Sequence, residues 1–188
     1  YGFPPETYQL RYDAPGEPAL AQRAAALLND HGLTAKVDPA YGWDHGVFIP
    51  LKVIYPNADI PVVAMSLKTG LDPALHCQAG RALSSLRDDG VLIIGSGMSY
   101  HNLRNFAAAA PASFTFEGWL DGALTGSWQE RTQQLALWHR APGGRQSHPR
   151  EEHLIPLMVA SGAGGDAPGR RMWQGPVGPS VASGWWFD

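Results

Sequence analysis

Two short apolar runs, 59–67 (DIPVVAMSL) and 91–94 (VLII), stand between helix signals, and that alternation is the strongest constraint on what this chain can become. Both carry the β-branched character of buried strands. Residues 91–94 are apolar throughout, the pattern of a strand inside a sheet covered on both faces. A third short strand is expected near Thr34–Val37. A helix is predicted over 17–30, with Pro18 at its first position and Gly32 where it would stop. A second follows Asp44, which can cap it, and ends at Pro56. A third begins at Asp72-Pro73 and runs to Arg87, with Gly90 just beyond. Residues 114–138 predict one or two helices. Pro149 is read as opening another, with Glu151 and Glu152 in its first turn, and the tail 172–187 as ending in a strand. The fold class is therefore α/β, a central, mostly buried sheet flanked by helices, in a single domain over residues 1–188.

Composition agrees with a packed core: 44% of residues are apolar and only 16% charged, which argues against disorder. The formal charge of −3 gives no electrostatic footprint for nucleic acid. Cys77 is the sole cysteine, so neither an intrachain disulfide nor a thiolate metal cluster can form, and a reducing, cytoplasmic setting is expected. No apolar run approaches the roughly 18–20 residues that span a bilayer. No basic-then-apolar signal segment opens the sequence, so no membrane partner is expected.

In such sheets ligands gather beyond the carboxyl ends of the strands, which directs the search to the turn after residue 94. There Gly95-Ser96-Gly97 leads to Ser99-Tyr100-His101-Asn102-Leu103-Arg104. The glycines lack the third glycine and downstream acid of a dinucleotide fingerprint, and Gly97-Met98-Ser99-Tyr100-His101 departs from a nucleophile elbow at its last residue. His101 is placed to meet a substrate, although a capping or core histidine accounts for its position equally well. His45, between Asp44 and Gly46, could exchange a proton near neutral pH; alone it reads as a loop histidine. His148 and His153 are five residues apart and so do not share a helix face as a two-histidine zinc motif would. His153, followed by an apolar stretch, could point inward. His31, His76 and His139 read as solvated.

Six blocks, in order, are similar to the class III extradiol ring-cleaving dioxygenases, closest to the 4,5-DOPA dioxygenase branch. They are Tyr1-Gly2-Phe3-Pro4, Arg11-Tyr12-Asp13-Ala14-Pro15-Gly16, Gly42-Trp43-Asp44-His45-Gly46, the run Tyr55 to Val63, the glycine-rich turn before His101-Asn102-Leu103-Arg104, and Glu152-His153-Leu154-Ile155-Pro156-Leu157. The resemblance implies the catalytic-subunit fold of that family. It also implies a mononuclear non-haem metal, iron(II) for catalysis with zinc(II) as another occupant, acting on a catechol and dioxygen. His153 matches a metal-ligand histidine. His101 matches an active-site histidine, either acid/base or a further metal contact, and His45 matches one that lines the substrate site. A homo-oligomer is compatible with the resemblance.

The resemblance further implies two histidine ligands in a Gly-His-Gly-like turn and a Ser-Ala-His-Trp-like strand end. Neither motif occurs in the 188 residues, so the chain is expected to be the C-terminal part of a longer catalytic domain, with doubtful activity by itself. A non-catalytic ligand- or partner-binding relative on the same scaffold is the competing reading. A zinc hydrolase would need a His-Glu-x-x-His or cysteine set that the sequence lacks.

Overall fold

The computed structural model describes residues 4–188, so Tyr1, Gly2 and Phe3 of the first similar block lie outside the described residues. Helix α1 (Pro18–Asp30) starts at a proline, takes a cap from the Glu17 carboxylate on Ala19 N, and stops at Gly32 with φ 76°. Helix α2 (His45–Ile54) is capped by Asp44, whose Oδ1 accepts from Val47 N at 3.3 Å. Helix α3 (Pro73–Leu83) is capped likewise by Asp72 and tightens into a 3₁₀ turn that ends at left-handed Gly90. Then come α4 (Ala110–Leu124) and α5 (Trp128–Ala136), the latter opened by a reciprocal Ser127–Glu130 capping box. The one-turn α6 (Gly144–Ser147) and α7 (Ile155–Ala163) follow. The chain closes in an antiparallel hairpin, β1 (Gly169–Val177) and β2 (Ser180–Phe187), with a bulge between Arg171 and Trp173. No helix among the described residues is long and apolar enough to cross a membrane.

Two apolar clusters hold these elements. The larger joins Cys77, Phe116, Leu120, Leu124, Leu135, Trp138, Leu154, Ile155, Met158 and Phe187, so α3, α4, α5, α7 and β2 share one core. The smaller packs Leu28 and Leu33 against Ala79, Ala82, Leu83 and Leu86. Helices α3 and α7 cross backbone to backbone, because a Cβ at Gly80 would collide with the Val159 carbonyl and one at Gly162 with that of Cys77. Fully buried Arg131 braces the far end of α7. Its guanidinium donates to Ser161 Oγ and to the carbonyls of Gly126, Ser161, Gly165 and Ala167, at 2.6–3.2 Å.

Helix and sheet are mixed, as expected, but the individual strands need correction. The segments at 34–37, 59–67 and 91–94 form no ladder; a single bridge, Gly16 to Val62, touches the second of them. Residues 91–94 do keep the two-residue alternation of a strand. Val91 and Ile93 pack on the smaller cluster, whereas Leu92 and Ile94 are 51% and 48% exposed. Among the described residues, helices cover only one face of this run, which is why it is not the doubly buried strand its composition suggested. The helix expected at Pro149 begins six residues later, at Ile155. Residues 151–154 form a turn instead, in which the Glu151 carbonyl accepts from both Leu154 N and Ile155 N. His76 is buried, not solvated: its Nδ1 donates to the Asp72 carbonyl at 2.6 Å, and its Nε2 accepts from Lys68 N at 3.1 Å. His31 and His139 are exposed.

Candidate functional site

The glycine-rich turn after residue 94 is a packing device. A Cβ at Gly95 would strike the Pro156 carbonyl and one at Gly97 that of His153, so the extended segment lies directly on the backbone at the start of α7. Met98 N then donates to the His153 carbonyl at 2.9 Å. Farther along, His101 N donates to the Ser147 carbonyl at 2.9 Å and Asn102 Nδ2 to that of Gln146 at 2.7 Å. The turn at 151–154 completes the arrangement by presenting His153 two residues before α7. As a result the imidazoles of His101 and His153 stack face to face, centroids 3.4 Å apart and 14° from parallel.

Both rings are partly buried, and burial is the main cause that pulls their pKa values below the ordinary imidazole range. The Glu152 carboxylate opposes that fall at both. At His153 the mutual repulsion with His101 and the charge of His45 add to it. His45 is the first residue of α2 and exposed. The Ser96 hydroxyl donates to the Gly46 carbonyl and so ties the start of α2 to the segment that leads to His101. The three histidines singled out in the sequence thus meet in one region, two in contact and the third within electrostatic reach.

Beside His153 opens a cavity of about 340 Å³ between the extended 91–99 segment and residues 183–187 of β2, lined also by Leu154 and, along α7, by Leu157, Ala160 and Ala163. Trp185 and Trp186 lie on the β2 side. Arg87 closes the far end, with its guanidinium donating to the carbonyls of Ala163 and Phe187 at 3.0 Å. The lining is mainly apolar and includes His153, whereas His101 and His45 do not line it.

Two further residues belong to this neighbourhood: Glu117, which the sequence reading did not single out, and His148, which it weighed only as a partner of His153 in a zinc motif. His148 is fully buried, edge-on to Phe116 and Trp138 at 5.5 and 5.9 Å. Its Nε2 lies 2.9 Å from the Ser99 carbonyl, which can only accept, so that nitrogen carries the proton. Burial lowers its pKa to about 4, against a partial opposing effect of the Ser99 bond. Glu117, on α4, is 2% exposed, and burial pushes its carboxyl up. Neither oxygen closes a well-formed hydrogen bond, although the Ser183 and Ser99 hydroxyls lie near enough to favour the ionised form. A carboxylate set among Phe116, Trp119 and Leu120 on an apolar helix was the available signal for Glu117. His148 gave none, because its burial comes from rings distant in sequence.

As a metal site the described residues are incomplete. His153 Nδ1 is buried with no hydrogen-bond partner, the condition of a nitrogen suited to ligation. Two imidazoles in parallel planes, however, cannot both direct their in-plane lone pairs at one ion. Among the described residues no group of three or more His, Cys, Asp or Glu side chains is placed to hold a metal. Catalytic sites of this kind take about three protein ligands, so the described residues do not complete a donor set.

Comparison with known proteins gives the following. A family model described as the catalytic LigB subunit of aromatic ring-opening dioxygenase matches residues 4–177. The 4,5-DOPA dioxygenase extradiol of Beta vulgaris is 42% identical over 170 residues, 88% of this chain and 63% of that protein. The dioxygenase tasH of Hapsidospora irregularis is 42% identical over 178 residues, 87% of this chain and 55% of that one. A crystal structure of an uncharacterized protein from Escherichia coli K12 superimposes with a TM-score of 0.80 at 34% identity, covering 94% of this chain and 74% of the other. The chain therefore spans little more than half the length of the curated relatives it matches.

Proposed function

Because this chain belongs to the class III extradiol dioxygenase family, that of the catalytic LigB subunit of aromatic ring-opening dioxygenases, we propose that it supplies part of a site that inserts dioxygen into the ring of a catechol. The observation that carries the reading is the His101–His153 stack, formed where the Ser96–Gly46 bond also ties in the start of the helix that bears His45. The 188 residues are proposed as the C-terminal part of a longer catalytic domain. His153 is proposed as a metal ligand, for iron(II) in catalysis or zinc(II) as the other occupant, the remaining donors lying outside these residues.

The proton-handling part of the chemistry rests on side chains of this chain. Ring opening requires a catechol hydroxyl to lose its proton, and a neutral imidazole within reach is the group to accept it. Burial lowers the His101 pKa and so favours the neutral ring, and the Glu152 carboxylate favours the imidazolium once the proton has arrived. His101 is therefore proposed as the acid/base and His45 as a group that orients substrate at the rim.

The test is metal content and oxygen uptake, measured on the same samples with a catechol as substrate. The isolated 188-residue chain should hold iron(II) weakly and open no ring. A chain extended upstream to the span of the relatives should bind one metal and form a yellow semialdehyde. In that longer chain His153→Ala should lose the metal. His101→Ala should keep it while turnover falls by about 10²–10⁴-fold. Full activity with bound metal in the isolated chain would overturn the assignment of ligands. Undiminished turnover in His101→Ala would overturn that of the base. A second reading, a non-catalytic ligand-binding relative, rests on the incomplete donor set; it requires that the longer chain bind a catechol without oxygen uptake.

A further inference from the structure

We infer that His148 and Asn102 are positioning residues, which hold the segment bearing His101 in register with the turn bearing His153; the inference rests on the ring-cleaving reading for its catalytic consequence only. Residues 146–148 meet residues 99–102 through three bonds. The His148 imidazole donates to the Ser99 carbonyl at 2.9 Å, His101 N to the Ser147 carbonyl at 2.9 Å, and Asn102 Nδ2 to the Gln146 carbonyl at 2.7 Å. At the other end Met98 N is bonded to the His153 carbonyl at 2.9 Å. One stretch of chain, 146–153, is thus stapled at both ends to another, 98–102, and the two stacked imidazoles project from between the staples.

Only two of these bonds come from side chains, and both side chains are buried, His148 at 0% and Asn102 at 7% exposure. The His148 ring cannot swing away from Ser99, because Phe116 and Trp138 meet it at 67° and 89° to its plane. Its Nδ1 is buried without a partner, so the ring's one hydrogen bond is the one that holds the His101 segment. Asn102 serves on both sides, since its Oδ1 also accepts from Asn105 N at 3.1 Å and caps the short turn beyond. Displacement by about 1 Å of a group that must meet substrate costs on the order of 10²-fold in rate. The staple therefore matters to catalysis without touching the reacting atoms.

The experiment has two arms. In the 188-residue chain, ¹⁵N-resolved NMR of the imidazoles should show His148 neutral with its proton on Nε2. His148→Leu removes the donor to Ser99, and Asn102→Asp removes the donor to Gln146 while keeping the Asn105 cap. Each should move the ring resonances of His101 and His153, whereas His148→Gln, which can still donate to Ser99, should leave them near their original positions. In the longer, metal-loaded protein, His148→Leu and Asn102→Asp should each lower kcat by about 10²-fold with KM changed far less, and His148→Gln should recover most of the loss. A purely structural role would lower the unfolding midpoint and leave His101 resonances and kcat of the folded variants as they were; that outcome overturns the inference. So does a wild-type His148 protonated on Nδ1. Should His148→Leu fail to fold, Asn102→Asp decides the matter by the same readouts. Absence of ring opening in the unmutated longer protein would strike the functional reading, and the NMR arm would stand apart from it.

Discussion

Helices α2 and α7 are built from similar residues: α2 reads HGVFIPLKVI and α7 IPLMVASGA, and each carries a proline and a majority of apolar side chains. In α7 Ile155, Met158, Val159, Ser161, Gly162 and Ala163 are all buried. In α2 no residue is, and Val53 and Ile54 are 79% and 56% exposed. The difference lies in what the neighbours can do. Gly162 lets α3 close to backbone contact, and Arg131 gathers the carbonyls at the end of α7 that would otherwise be buried without partners. Helix α2 has an N-cap and a tether through Ser96, and neither of these covers its apolar side chains. Apolar content makes a helix fit to be buried; glycine at the crossing and a donor at the end determine that it is.

The contrast can be attacked first at Arg131. Arg131→Ala leaves acceptors at the end of α7 buried and unpaired, and a loss of about 4 kcal/mol in unfolding free energy is expected, read by urea titration. Arg131→Lys should recover only part, because an ammonium cannot span the five acceptors of the planar fork. A loss below about 1 kcal/mol in the alanine variant would show that α7 is held by its apolar face alone.

Acid probes the same contrast through His148, which lies beside the α7 region. Its pKa is about 4 in the fold and near 6.5 when unfolded, so the unfolded chain takes up the proton first as pH falls. The stability tied to the neutral ring is complete above about pH 6.5 and drains away as pH drops toward 4, by about 3 kcal/mol in all. Unfolding free energy measured at pH 7 and pH 4.5 should fall more in the unmutated chain than in His148→Gln. Equal losses in the two would remove His148 from the account.

The smallest effect is expected in α2. Val53→Ser places a hydroxyl on a side chain already in water and should change stability by no more than about 0.5 kcal/mol. A larger loss would mean that α2 is covered in solution, and the contrast between the helices would lapse.

Helix starts were legible in the sequence because their determinants are local: Pro18 occupies the first position of its helix, and Asp44 and Asp72 each act within one turn of the residues they cap. The start of α7 was misread because two prolines compete, Pro149 and Pro156, and the turn that decides for the second depends on the Glu151 carbonyl. The runs at 59–67 and 91–94 encode extended backbone and, for 91–94, one packed face, but a ladder needs a partner strand that no local pattern supplies. At the site, resemblance pointed to His45, His101 and His153, and the structure gathers them. His148 escaped because a histidine between Ser147 and Pro149 looks like a loop residue until Phe116 and Trp138 close around it. His76 misled in the opposite direction: both ring nitrogens find backbone partners close by in the chain, which makes burial cheap where solvation was expected.

The contact of Gly95 and Gly97 with the first turn of α7 bears on how such a site can change over generations. Where two elements are separated by side chains, each exchange of a methylene alters their spacing, and a reactive pair mounted on them drifts with the core. Here no side chain intervenes between the backbone carrying His101 and the carbonyls of His153 and Pro156. The core beneath can accumulate substitutions while the gap between the two imidazoles stays as it is. The cost of that insulation is concentrated at two positions, where even the step from glycine to alanine would push the histidines apart.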